Sequence, residues 1–338
     1  MNGMTRRSAA FLTLAAPLAT QAAPPRSQMG IATTCYMTVR RFRDTFEFLE
    51  HCHGLGAAGI QSAITNLDPA YVRKVRAQAE KYGMWIEVMA GLPRSDNEEQ
   101  FAKTLAAAKE LGALCIRSAC LSGRRYETFG SMEEWKTFVK SSHAALARAI
   151  PMAEKAGVKF AIENHKDWTV EEHVAIFKKY SSPNFGVCLD TGNNMALLDD
   201  PMEVVERLAP YAFSTHLKDM GVAEYADGFL LAEVPFGEGI LDLAKIVKTV
   251  KAVKPDVKIT LEMITRDPLK VPCLTEKYWA TFPETHAPRL ARALRMVRNA
   301  KVTKPLPMLT TLPAKAQGDV EEDNVKQCLN YARERLAL

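Results

Sequence analysis

Four short apolar runs in the second half of this chain each end on a side chain able to bind a metal. They are KFAIENH at 159–165, FGVCLDTGN at 185–193, FSTHLKD at 213–219 and KITLEMI at 258–264, and the side chains are Glu163, Asp190, His216 and Glu262. The spacings are 27, 26 and 46 residues. One strand plus one helix takes roughly 30 residues in a (β/α) barrel of about 250 residues. Ligands arriving once per βα unit therefore converge at the C-terminal mouth of a parallel barrel. Three carboxylates and one imidazole make a hard, oxygen-rich set suited to a divalent cation that holds a hydroxylated substrate.

Four further strand-like runs lie upstream, at 29–36, 57–64, 84–91 and 115–122. Helical patterns alternate with the strands, most clearly at 69–82, 97–111, 132–156, 170–180, 201–208 and 241–253. Gly83, Gly112 and Gly157 follow three of them, as C′ glycines do, because glycine enters the left-handed region without steric cost. Asp199-Asp200-Pro201 reads as an N-cap followed by proline at N1. The strands are short and apolar on both faces, as in a parallel sheet covered by helices. The expected fold class is α/β, an eight-stranded (β/α)8 TIM barrel over 26–302. A Pro-rich linker and a helix, patterned at 320–336, follow over 303–338 as a packing element or oligomer contact. No Gly-x-Gly-x-x-Gly follows the first strand, which removes the dinucleotide-binding reading. The stretch 220–239 after the seventh strand is expected to be a long loop over the substrate.

Residues 1–25 stand apart. Arg6-Arg7 precedes an apolar stretch from Ala9 to Ala19 and then small residues. This pattern reads as a twin-arginine signal peptide cleaved near Ala22 or Ala23, and so as export to the periplasm. The seven dispersed cysteines form no disulfide framework. A formal charge of +5 without a basic stripe argues against nucleic acid, and no run reaches the ~18 apolar residues of a membrane span.

Around the four ligands, other residues are candidates for substrate. His165 lies two residues beyond Glu163. Lys218 and Asp219 follow His216 directly and either orient the ligands or touch substrate oxygen. Asn193 either donates to a sugar hydroxyl or caps the following helix. Arg117, at the end of the fourth strand, either binds an acid or phosphate or pairs with a neighbouring carboxylate. Trp168, ahead of Trp85, Tyr36 and Phe236, is the first candidate for an apolar wall against a sugar ring.

The pattern Glu-Asn-His, Leu-Asp-Thr-Gly-Asn, His-Leu-Lys-Asp and Leu-Glu-Met resembles the xylose-isomerase-like TIM barrels. That group includes ketose 3-epimerases, hydroxypyruvate isomerases, inosose dehydratases and endonuclease IV. The resemblance implies one divalent metal, Mn²⁺ first and Mg²⁺, Co²⁺ or Zn²⁺ next, on Glu163, Asp190, His216 and Glu262. It implies that Glu163 and Glu262 also move protons on opposite faces of a carbohydrate, and that the protein forms homo-oligomers. The activity implied is sugar isomerisation or epimerisation through an enediolate. The alternatives are a lyase or dehydratase acting on a 3-keto-glycoside or inosose, and a non-catalytic sugar-binding barrel. The chain departs from the epimerases by carrying Gly192 and Asn193, not a further histidine, after Asp190. It lacks the many histidines of endonuclease IV.

Overall fold

The computed structural model describes residues 26–283, 287–301 and 304–338. The signal-peptide assignment and the 302/303 boundary lie outside the described residues.

Each expected barrel strand forms, but shorter than its apolar run: β1 Gly30–Ala32, β2 Gly59–Ala63, β3 Trp85–Met89, β4 Ile116–Ser118, β5 Phe160–Glu163, β6 Phe185–Asp190 and β7 Ala212–His216. The stretch expected to be a loop instead folds as an antiparallel hairpin, β8 Asp219–Tyr225 with β9 Gly228–Val234. The eighth barrel strand is consequently β10, Thr260–Leu261, and β11, Leu269–Val271, adds a third strand to the hairpin. The barrel strands are parallel in the order β10-β1-β2-β3-β4-β5-β6-β7. Closure comes from Leu217, whose N–H donates to Thr260 O at 2.8 Å and whose carbonyl accepts from Glu262 N at 3.1 Å.

Helices alternate with the strands: α1 Thr45–Gly54, α2 Pro69–Tyr82, α3 Glu98–Leu111, the short α4 Arg125–Thr128, α5 Met132–Ala156, α6 Val170–Tyr180, α7 Pro201–Leu208 and α8 Leu243–Val253. Their ends follow local chemistry. Gly83, Gly112 and Gly157 take left-handed φ of 62°, 70° and 68°. Asp200 caps α7 by accepting from Met202 N and Glu203 N, and Thr169 and Glu172 form a reciprocal capping box on α6. α9 Glu276–Trp279 and α10 Ala287–Asn299 follow. α11, Ala314–Tyr331, starts six residues before the pattern read at 320, and a π-helical turn carries it on to Leu336.

The barrel interior is closed at the bottom by Trp85. A Cβ on Gly30 or Gly59 would come within 2.2 Å or 2.1 Å of its ring, so glycine is needed at both strand starts. Trp85 lies on the same face as Glu87, two residues on. It is thus at the end of the barrel opposite the site, and does not wall a sugar. The C-terminal helix joins the main core through Val325, Cys328 and Leu329. Its buried Glu321 accepts from the N–H groups of Thr38, Val39 and Arg40 at 3.0, 3.2 and 2.8 Å.

Candidate active site

Glu163, Asp190 and His216 are the last residues of β5, β6 and β7, and Glu262 directly follows β10. Strand ends therefore deliver all four to the barrel mouth. Each offers one ligand atom, and these atoms lie within 4.8 Å of one another. All four side chains are at most 3% exposed.

His216 has its orientation set from below. Gln61 on β2 donates through Nε2 to Glu87 Oε2 at 2.9 Å and to Ser214 Oγ at 3.1 Å. These partners turn its oxygen toward His216 Nε2, 2.7 Å away. An oxygen only accepts, so in the neutral ring Nε2 carries the proton and Nδ1 presents a lone pair. That lone pair faces Glu262 Oε1 at 3.4 Å, Glu163 Oε1 at 3.5 Å and Asp190 Oδ2 at 3.8 Å. Nδ1 has no hydrogen-bond partner, whereas Glu163 Oε2 meets Arg117 and Asp190 Oδ2 lies 2.9 Å from Lys218 Nζ. Buried polar atoms are nearly always satisfied. A nitrogen lone pair ringed by carboxylate oxygens is repulsive unless a cation sits among them, so this donor set fits one metal ion.

The remaining lone pairs are accounted for. Asp190 Oδ1 accepts from Gly192 N at 2.9 Å and Asn193 N at 2.7 Å, which closes the Asp-Thr-Gly turn and leaves Oδ2 for the site. Asn164 ties the ends of β5 and β6 together, bonding both the N–H and the carbonyl of Asp190 at 2.8 Å. Glu262 accepts from Thr34 Oγ1 at 2.9 Å and from Lys218 Nζ at 2.5 Å. Burial opposes its ionisation, but His216, Lys218 and Arg117 outweigh this and hold its carboxyl well below the usual range. Burial also opposes protonation of His216, but surrounding negative groups, Glu262 among them, leave it raised. Below, burial pushes Glu87 up to about 7 against the hydrogen bonds from Ser214 and Gln61.

A family model described as xylose isomerase-like TIM barrel matches residues 49–300. The chain belongs to that family. The 3-oxo-isoapionate decarboxylase of Pectobacterium atrosepticum is 26% identical over 193 residues, 56% of this chain and 65% of that protein, so the match spans just under two thirds of the relative's length. Among solved structures, an L-ribulose 3-epimerase aligns with a TM-score of 0.53 at 17% identity, over 91% of this chain and 99% of that one. A probable 3-DHS dehydratase, AsbF, of Bacillus anthracis aligns with 0.55 at 15%, over 80% and 98%. The IOLI protein, solved with a binding zinc atom, aligns with 0.54 at 19%, over 80% and 95%. At these identities the structural likeness speaks for the barrel alone.

The other candidate residues of this xylose isomerase-like barrel separate into two groups. Arg117, Asn193 and Lys218 join the ligand cluster. Arg117 pairs with Glu163. Asn193 donates to Glu163 Oε1 at 2.8 Å. Lys218 is fully buried, with Nζ 2.9 Å from Asp190 Oδ2 and 3.7 Å from Glu233 Oε1. His165 lies beside them, its Nδ1 unpartnered, and burial first, then Lys166 and Arg117, pushes it well below its ordinary value. Trp168 does not stand free as a wall: it is 3% exposed and packs on Trp135 at 5.1 Å and Phe138 at 5.4 Å. Tyr36 sits under α11 with its hydroxyl 3.0 Å from His51 Nε2, and Phe236 packs on Tyr331. Asp219 is a structural anchor, accepting from the N–H groups of Met220, Gly237, Gly239 and Leu241.

Sequence reading missed Thr34, Gln61, Glu87, Ser214, Lys166 and Glu233. Glu87 carries a usable signal, as a charged residue in the centre of the apolar run WIEVM. Glu233 carries none, because only the fold of the hairpin brings it to Lys218.

Proposed function

We propose that this protein is a divalent-metal-dependent sugar isomerase or epimerase that moves a proton α to a carbonyl. The observation that carries this is the bare Nδ1 of His216 facing three carboxylates whose ligand atoms lie within 4.8 Å of one another. Asp190 and His216 hold the cation, and Glu163 and Glu262 hold it and also handle protons. A divalent cation, Mn²⁺ first, supplies Lewis-acid polarisation of a carbonyl and the hydroxyl beside it, which acidifies the proton between them. Glu262 is prepared as the base, because Lys218 and Thr34 hold its carboxylate charged. Glu163, oriented by Asn193 and Arg117, is the group that returns the proton. Gln61 holds His216 in the tautomer that leaves Nδ1 available.

A second reading is a lyase on a keto-sugar: elimination shares the removal of the α proton and then expels a β-substituent, whereas decarboxylation, the activity named for one relative, reaches the same enediolate type by losing CO₂. Incubation of the metal-loaded protein with ketoses and 3-keto-glycosides in D₂O separates the two. Deuterium at the α carbon with every substituent retained supports the isomerase. Loss of a group or of CO₂ supports the lyase. A protein that binds no divalent metal and exchanges no proton would overturn both readings. Residues 1–25 direct export in this proposal, and retention of the protein in the cytoplasm of its host would refute that assignment.

A further inference from the structure

Four cations stand among the carboxylates of the mouth. Arg117 pairs with Glu163, Lys218 contacts Asp190, Glu262 and Glu233, and Arg266 pairs with Glu233 at 2.9 Å. The fourth, Lys166, comes from the segment between β5 and α6, is 2% exposed, and bonds through Nζ to Asn193 Oδ1. No ion pair joins it to a carboxylate among the described residues. The same Asn193 oxygen also accepts from Lys218 Nζ at 3.3 Å. Asn193 is neutral and offsets neither charge.

The four cations balance Glu163, Asp190, Glu233 and Glu262. With Lys166 protonated, a divalent ion then leaves the mouth with two surplus positive charges. If Glu87, one layer below, is ionised as well, one surplus charge remains. Buried charge without a counter-charge is costly, and a neutral ketose supplies none. Lys218 already has three carboxylates, whereas Lys166 has none among the described residues; burial first, then Lys218, accordingly pushes its ammonium down to about 7, and an anion beside it would hold it charged.

We infer that the substrate is a sugar acid, with Lys166 binding its carboxylate beside Asn193. This rests on the metal-dependent reading above and adds the substrate class to it. A monoanion is favoured over a phosphate dianion, since Lys166 is the one cation of the four without a carboxylate partner among the described residues.

The test is calorimetric titration of the Mn²⁺-loaded full chain with matched pairs that differ in the carboxylate: D-gluconate against D-glucitol, and D-threonate against D-threitol. Acids are expected to bind about ten-fold or more tightly than their polyols, as a charge-assisted hydrogen bond provides. Lys166→Met is expected to remove that preference with metal stoichiometry unchanged, and Lys166→Arg to retain it. If Lys166→Met does not fold, Glu233→Gln tests the same balance in the opposite direction and is expected to tighten acid binding several-fold. Equal binding of acid and polyol, no acid binding at millimolar concentration, a preference that survives Lys166→Met, or tighter binding of D-ribulose 5-phosphate than of either acid each overturns the assignment. Proton exchange in D₂O on the same wild-type sample reports separately on the reaction. Exchange into neutral ketoses without acid preference removes the carboxylate assignment alone. Acid preference without exchange removes the proton-transfer reading alone.

Discussion

Asp190 and Asp219 are both buried carboxylates at ends of barrel-region strands, and they are treated in opposite ways. Asp219 spreads its two oxygens over four backbone N–H groups, at 2.9 to 3.1 Å, and so fixes the root of the β8–β9 hairpin and the turn that leads to α8. Asp190 spends one oxygen on its own turn and turns the other toward His216, the two glutamates and the Lys218 ammonium, 2.9 Å away. Lys218, next to Asp219 in the chain, belongs to the second environment. A buried acid satisfied by amides locks the chain, whereas one left facing other acids is kept for a ligand. Burial alone therefore does not tell the two apart; the identity of the partners does.

The largest expected effect falls on the unsatisfied side. Glu262→Gln should lower turnover about 10³-fold, within the range for loss of a positioned acid–base group, while circular dichroism shows a folded barrel. Turnover within ten-fold of wild type would remove Glu262 from proton transfer. Next in size is metal linkage. A divalent ion at about 1,000 times its Kd should stabilise the wild type by about 4 kcal/mol, and Asp190→Asn should lose most of that. A thermal shift equal in both proteins would place the ion elsewhere.

Smaller effects probe the satisfied side. Asp219→Asn replaces one accepting oxygen with a donor and orphans amides, at a cost of about 2–3 kcal/mol in urea unfolding. In metal-free protein Asp190→Asn should cost less than about 1 kcal/mol, since Oδ1 can still serve Gly192 and Asn193; the reverse order would undo the contrast. The smallest is a pH effect at Glu322 on α11. Burial opposes its ionisation, but His51 and the Tyr36 hydroxyl outweigh this and hold its carboxyl down at about 2. A lowered carboxylate stabilises the fold above the ordinary value of about 4.5, and that contribution fades as pH falls from there toward 2. Its loss should amount to roughly 1–2 kcal/mol after allowance for partial exposure. Glu322→Gln should flatten the stability profile between pH 5 and pH 3, and an unchanged slope would assign the acid sensitivity to other groups.

Much of the barrel was legible because periodicity and punctuation agree. The helices over 69–82, 132–156, 170–180 and 201–208 match their apolar pattern, and three end on left-handed glycines or begin on a capping acid where the chain has one. The four convergent side chains were legible because a strand end is a position that linear spacing can find. The supporting shell was not. Gln61, Glu87 and Ser214 are brought together by strand register around a closed sheet, and that neighbourhood has no image in linear order. The hairpin over 219–234 is hidden in linear order although Asp227-Gly228 is a hairpin turn signal between two apolar stretches, because a long segment after a barrel strand reads first as a mouth loop and its third strand, β11, lies about forty residues on. Trp168 and Trp85 were misplaced for a simpler reason. Aromatic character alone does not say which end of a barrel a ring will fill.

The clasp between Glu321 and the N–H groups of Thr38, Val39 and Arg40 has a consequence for biogenesis. Its partners are more than 280 residues apart in the chain, and contacts of that separation form late because loop closure must be met first. During synthesis the segment after β1 waits, its amides solvated and the adjoining core uncovered, until α11 has emerged. A ribosome-bound chain halted before residue 314 should therefore hold all eight barrel strands but leave the Thr38–Arg40 amides and the core beneath α11 exposed to chaperones and proteases.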